Sequence, residues 1–311
     1  MNSRKAELRD MGGEMPTAAI AISIILVMLQ LVSHPSTQAA AGVQESPGTV
    51  SSATQRIWLG PDGLPLPPMS DAQVLEFLKT ARVVSMKRVG KGVTNPHKVL
   101  LEKGSIRMHA VFRDVRRQKQ KSRIRGAVRW NFRDDFIFEC AAYELSVLLG
   151  LDSIPPAVLR KIKGKKGSLQ IWIENAFSEG DRKRQGLTAP NSIHWARQRQ
   201  VRQVFDQLIN NEDRNLGNLL IDPDWKLWMI DHTRAFHPLF QLWKPKAIVT
   251  CERSLWERLR NLDRDRVRRQ LKPFLRSNQL RALFQRWDRL LARIAKLIEE
   301  RGAEYVLFDM G

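Results

Sequence analysis

The sequence predicts an α+β chain of two lobes: a small β-rich N-terminal lobe with one main helix, and a larger, mostly helical C-terminal lobe. Three observations carry this. Between residues 82 and 115, short apolar runs are broken by Gly90, Gly92 and an EKGS turn at 102–105, as antiparallel strands require. From about residue 191 onward, apolar residues recur at helical spacing, most cleanly in LRALFQRWDRLLARIAKLIEE. Within that helical half, NNEDRNLGNLLIDPDWKLWMIDHTRAF (210–236) sets two short apolar runs in a frame of Asp and Asn. The chain has 311 residues, 43% hydrophobic and 27% charged, which is globular composition with ample material for a core.

Residues 1–41 read as a signal peptide or membrane anchor. Arg4, Lys5 and Arg9 precede TAAIAISIILVMLQLV (17–32), an uncharged run of 16, and Ala39 and Ala41 after Pro35 fit a cleavage site. Sixteen residues is short for a span but within reach of one. No Lys or Arg occurs from residue 17 to 55, so the positive-inside bias puts the folded part outside the cytoplasm. Glu7, Asp10 and Glu14 run against that bias, and a cytoplasmic location is the alternative. Residues 42–69, rich in Gly, Pro and Ser, read as a linker; 70–178 form the N-lobe and 179–311 the C-lobe.

Ser70 opens a helix, SDAQVLEFLKTA, with Gln73 completing a capping box. Strands follow at about 82–89, 97–102 and 105–115. Residues 116–130 read as a basic, turn-like stretch. The helical pattern from residue 135 to 149 ends at Gly150, and IPPAVLRKI and LQIWIENA read as two more strands. Helices are expected at 194–211, 253–260, 266–275 and 278–301. Cys140 and Cys251 are far apart in sequence and read as buried free thiols, although an exported chain could join them.

The net charge of +20 favours anionic partners and says nothing of the fold. Residues 113–129 hold eight Lys/Arg and one Asp, which suits either an anionic surface or a solvated loop. No aromatic residues interleave that run, so specific nucleic-acid recognition is not indicated. His194, His232 and His237 lack the HExxH spacing, no metal-type cysteine cluster occurs, and there is no nucleophile elbow.

The chemistry sits in 210–236. Asp213 and Asn218 are five apart, and Asp231 lies 13 beyond Asn218. Between them LLIDPDWKLWMI reads as a hairpin, strand 219–222, turn at Pro223-Asp224, strand 226–230. The hairpin brings Asn218 and Asp231 to one end, where two hard oxygen ligands suit Mg²⁺ completed by phosphate and water. Asp, Asn and Gly are also ordinary turn residues. The paired spacings, with strands between, match a phosphoryl-transfer arrangement instead.

DRNLGN followed by IDH resembles the atypical kinases related to phosphatidylinositol 3- and 4-kinases, and is similar to the secretory-pathway and HipA-like bacterial kinases. The resemblance covers roughly residues 82–240 and implies a two-lobed kinase-like fold using ATP with Mg²⁺ or Mn²⁺. It implies that Asp213 is catalytic and that Asn218 and Asp231 hold metal. Gly90 and Gly92 in VGKGVTNP would form the loop over the phosphates, although a plain hairpin turn fits them equally. AVFRDV would be the strand of the phosphate-binding Lys, where this chain has Arg113, a fork rather than a point charge. Lys98 is a possible substitute. Glu139 in FECAAYEL would pair with that cation, with Glu144 as competitor. LQIWIENA would be the hinge strand, and His232 stands where many protein kinases have Phe.

The expected function is ATP- and Mg²⁺-dependent transfer to a hydroxyl acceptor on a protein, lipid headgroup, sugar or small molecule. The alternatives are a nucleotide-binding pseudokinase or scaffold and a basic anion-binding module.

Overall fold

The structure is a computed structural model and describes residues 55–90, 96–124 and 127–310. The targeting segment expected at 1–41 and Gly92 lie outside the described residues. Helix α1 (Asp71–Thr80) starts at Ser70 with the expected capping box: the Ser70 N–H donates to Gln73 Oε1 at 2.8 Å, and the Gln73 N–H returns a bond to the Ser70 hydroxyl. Three strands follow, β1 (Arg82–Arg88), β2 (His97–Lys103) and β3 (Ile106–Arg113). Then come β4 (Arg116–Ile124), β5 (Ala127–Asp135), helix α2 (Ile137–Leu148), β6 (Ala157–Ile162) and β7 (Lys165–Ile171). The main sheet is antiparallel with order β1-β2-β3-β7-β6. One of its faces buries Val99, Leu101, Met108 and Phe112 beneath Val74, Phe77 and Leu78 of α1.

Two stretches differ from the sequence reading. Residues 116–130 are not turn-like: β4 and β5 form a separate two-stranded ribbon, in register from Arg116↔Asp135 to Ile124↔Ala127. Arg116 to Lys121 are exposed, so that part of β4 buries no apolar stripe and leaves no hydrophobic period to read along it. The stretch expected as a linker is folded from Gln55 onward. Gln55–Arg56 pairs with Met69–Ser70, Trp58 and Met69 are each 5% exposed, and the Trp58 ring lies 5.8 Å from that of Trp228. Its Gly and Pro content marks turns around two buried anchors, not free chain.

The C-terminal part holds α3 (Glu179–Arg184), α4 (Ser192–Ile209), α5 (Arg253–Asn261), α6 (Arg264–Leu271) and α7 (Ser277–Arg301). A small antiparallel sheet of β8 (Phe177–Ser178), β9 (Leu219–Ile221) and β10 (Leu227–Met229) lies among them. Its core packs Phe138 and Leu145 of α2 with Phe205 and Leu208 of α4 and Trp287 and Leu290 of α7. Each such fully buried side chain contributes about 2–3 kcal/mol. Cys140 and Cys251 are unpaired and buried, as expected, and burial pushes both thiols up, that of Cys251 to about 12. Among the described residues no helix is long and apolar enough to cross a membrane.

Candidate active site

The hairpin of β9 and β10 pairs Leu219 with Met229 and Ile221 with Leu227. One step further out, the Ile230 N–H donates to the Asn218 carbonyl at 3.2 Å, so Asn218 and Asp231 leave the hairpin at the same end. The connection is longer than a Pro-Asp turn. Lys226 and Asp224 both donate their N–H to Asp222 Oδ1, and Trp225 sits at φ +58. Arg214 locks the open end. Its Nη1 donates to the carbonyls of Asn218 (2.9 Å) and Ile230 (2.6 Å), while Nε and Nη2 grip Asp206 on α4. One planar fork thus fixes Asn218, one expected metal ligand, and Ile230, the residue next to the other.

Glu139 on α2 is fully buried. Its Oε1 accepts from Gln170 Nε2 and His232 Nδ1, each at 2.9 Å, and its Oε2 accepts the His232 backbone N–H at 3.0 Å. Arg214 Nη2 lies 2.9 Å from His232 Nε2. Arginine only donates, so Nε2 accepts and the ring proton sits on Nδ1, facing Glu139. Burial alone would raise the Glu139 carboxyl. Its interactions with His232 and with the Arg113 guanidinium outweigh burial and hold it down at about 2.

Arg113 ends β3 and is 5% exposed, with Nη1 4.0 Å from Glu139 Oε2. That separation is an ion pair without a hydrogen bond, and Arg113 Nε and Nη1 have no hydrogen-bond partner. Lys98 has other partners: its Nζ lies 3.5 Å from Glu174 and over the Trp172 ring at 4.4 Å. Glu144 bonds Gln270 at an exposed position, so the structure brings Glu139 to Arg113 and leaves Glu144 aside. Gly90 adopts φ +61 with open space around its Cβ position, so the turn conformation favours glycine there and crowding does not demand it.

Asp213 lies in the loop after α4. Its N–H donates to Asn211 Oδ1, and its Oδ2 accepts from Arg234 Nη1 at 2.8 Å. Arg234 Nε also bonds Asp134 at the foot of β5, at 3.0 Å, and these carboxylates outweigh burial to raise the guanidinium's pKa. The Asn218 side chain donates from Nδ2 to the Asp213 carbonyl, which leaves its amide oxygen for a cation. Asp231 sits at φ +58, a conformation an Asp tolerates at some cost, and its Oδ1 accepts from the Thr233 hydroxyl at 3.0 Å. His232, Arg214, Gln170, Asp206 and Arg234 form this framework, and the sequence reading assigned none of them a structural task. Arg214 and His232 lie inside the DRNLGN and IDH motifs, which was the available signal.

The residues fit a nucleotide with a divalent ion. A buried guanidinium with unpartnered nitrogens suits a phosphate, because buried polar groups are almost always paired. Among the described residues no cluster of three His, Cys, Asp or Glu side chains could hold a metal alone. One amide and one carboxylate is a set suited to Mg²⁺ that keeps phosphate and water in its shell.

No protein-family model matches the chain. A 3-deoxy-D-manno-octulosonic acid kinase of Vibrio cholerae serotype O1 is 32% identical over 56 residues, 18% of this chain and 24% of that protein. The match therefore spans about a quarter of that relative's length. Among solved structures, hydra Fam20 with sugar superposes with a TM-score of 0.57 at 18% identity, covering 76% of this chain and 92% of that one. The Golgi casein kinase with Mn/ADP bound gives 0.55 at 15% identity, covering 76% and 78%. The chain shares the α+β, two-lobed fold of these kinase structures.

Proposed function

We propose that the protein is a phosphotransferase that moves the γ-phosphate of ATP to a hydroxyl acceptor with Mg²⁺ or Mn²⁺. The observation that carries this reading is the shared end of the β9–β10 hairpin, where Arg214 ties the carbonyls of Asn218 and Ile230 beside the Asp213 loop. Asn218 and Asp231 would hold the metal, and Arg113, set by Glu139, would bind phosphate oxygens. Bound metal supplies neutralisation of the phosphate charge. Asp213 orients the acceptor hydroxyl and takes its proton as the hydroxyl oxygen bonds the γ-phosphorus. The bond from that phosphorus to the β–γ bridging oxygen breaks, and ADP leaves with the electron pair. The Golgi casein kinase with Mn/ADP supports the use of nucleotide and divalent metal on this fold. The Vibrio kinase match supports phosphotransfer.

Catalysis of this kind is mostly positioning and charge stabilisation. The test is radiolabelled ATP with a panel of protein, lipid, sugar and small-molecule hydroxyl acceptors. Asp231→Ala should lose about 100-fold or more of the wild-type turnover; equal turnover would sink the assignment. A second reading, nucleotide binding without turnover, is favoured by Arg113 at the Lys position and by Arg234 on the Asp213 carboxylate. Stabilisation by Mg²⁺-ATP in a thermal melt with no transfer to any acceptor would select it. We also propose export of the folded part, on the apolar run at 17–32; a reporter active only outside the cytoplasm, fused after residue 311, tests this.

A further inference from the structure

A cavity of about 420 Å³ opens beside Asp213, between the C-terminal half of α4, the foot of β5 and the segment at 243–244. Its volume falls in the range of small-molecule sites, about 300–1,000 Å³. Cations dominate its wall: five Lys and Arg side chains face three carboxylates. The surplus is local. Asp206 serves two guanidiniums, Arg214 at 3.0 Å and Arg202 at 3.6 Å, so one positive charge there has no carboxylate of its own. Burial and the neighbouring Arg214 and Arg199 lower the Arg202 pKa against the pull of Asp206, and Arg202 Nε has no hydrogen-bond partner. Lys244 is exposed, and no carboxylate lies within ion-pair distance of it among the described residues.

A second observation marks the cavity as a built site. Asn210, at φ +52 where α4 ends, is 1% exposed, lines the cavity, and neither its side-chain oxygen nor its nitrogen has a partner. Leaving a buried amide without either bond is costly, so it belongs where a ligand's polar atoms complete it. Trp243, half-exposed on the same wall, adds a flat apolar surface of the kind that covers a compact polyol.

Resting on the phosphotransfer reading, we infer that this cavity is the acceptor subsite, and that it selects a small polyhydroxy acceptor carrying an anionic group. Arg202 and Lys244 take the anion, the Asn210 amide takes hydroxyls, and Asp213 on the same wall meets the hydroxyl that is phosphorylated. A neutral acceptor would leave the shared positive charge uncompensated.

Direct binding tests this without turnover. Calorimetric titration of the full chain with gluconate, glucose 6-phosphate and glucose should show at least one anionic probe binding about tenfold or more tighter than glucose. Gluconate ahead of glucose 6-phosphate identifies a carboxylate acceptor; the reverse order identifies a phosphate ester. Lys244→Ala, an exposed truncation that leaves the core intact, should remove most of that preference, and Arg202→Gln should do the same. Equal binding of glucose and both anions, or an anion preference untouched in Lys244→Ala, overturns the inference. A Mg²⁺-ATP thermal shift on the same sample separates the two readings. Nucleotide stabilisation without anion preference leaves phosphotransfer standing and removes this acceptor class. Anion preference without nucleotide binding removes phosphotransfer, and with it the role of the cavity as an acceptor site.

Discussion

His232 gives Glu139 both its ring Nδ1–H and its backbone N–H, at 2.9 and 3.0 Å, so one residue of the segment after β10 holds both oxygens of the α2 carboxylate. The same ring accepts from Arg214 through Nε2. His232→Phe keeps the volume and the backbone bond and removes both ring bonds. It leaves a buried carboxylate oxygen and a buried guanidinium nitrogen each short of one partner. The expected cost is about 2–4 kcal/mol, because both lost bonds involve charged groups out of water. Urea unfolding should show the midpoint falling at unchanged slope. A midpoint within error of wild type would mean the network does not hold the lobes' junction as drawn.

The low-pH behaviour follows from Glu139. Its carboxyl moves from an ordinary value of 4.5 down to about 2 in the folded protein. The unfolded chain therefore takes up the proton first as pH falls. The stabilisation is fully present above pH 4.5 and is lost as pH falls through 2. The size is about 3 kcal/mol at 1.36 kcal/mol per pKa unit. Other depressed carboxylates, Asp152 and Asp181, titrate in the same direction, so the useful quantity is a difference. The stability gap between wild type and Glu139→Gln should shrink by about that amount between pH 5 and pH 2. A gap that stays constant over that window would remove Glu139 as the titrating group.

Much of this was legible in the sequence, and the reasons are specific. The capping box at Ser70 and Gln73 and the amphipathic period of α7 are local signals, and both elements form where they were read. The spacing of Asn218 and Asp231 around two apolar runs predicted a hairpin, which forms as β9 and β10. The partners were not legible. Glu139 and His232 are 93 residues apart, and Glu139 and Gln170 are 31 apart, so only the folded chain brings them together. The ribbon of β4 and β5 was missed because β4 is exposed and basic from Arg116 to Lys121, so its order comes from backbone pairing and leaves no apolar period along that strand. Residues 55–69 read as linker because Gly and Pro outnumber the two side chains, Trp58 and Met69, that anchor them.

Arg113 sits where a Lys was expected, and its geometry separates two uses of a cation. Its nearest approach to Glu139 is 4.0 Å with Nε and Nη1 unpartnered, so the pair is loose and the guanidinium can serve a third group. Arg113→Met should raise the KM for ATP about tenfold or more, as expected when a charged bond worth about 1.5–3 kcal/mol is lost. Arg113→Lys should restore part of that, because charge survives while the fork does not. If Arg113→Met binds Mg²⁺-ATP as tightly as wild type, Arg113 is a structural partner of Glu139 and not a phosphate ligand.

Arg214 offers a test of how the proposed metal ligands, Asn218 and Asp231, are held that leaves both side chains intact. Its Nη1 bridges the carbonyls of Asn218 and Ile230, and its other nitrogens meet Asp206 and His232. Arg214→Lys keeps a positive charge near Asp206. An ammonium cannot bridge two carbonyls, a carboxylate and an imidazole at once, since its three donors radiate from one atom. The hairpin end should therefore loosen while β9 and β10 still pair. Outer partners of metal ligands typically cost 10–100-fold in metal affinity when removed. The Mg²⁺ concentration for half-maximal phosphotransfer should rise by about tenfold, with turnover largely recovered at saturating metal. A purely structural role predicts the opposite pattern, a lower melting temperature with the Mg²⁺ dependence unchanged. Raising Mg²⁺ during the assay distinguishes the two, because excess metal repairs a weakened site and does nothing for a partly unfolded one.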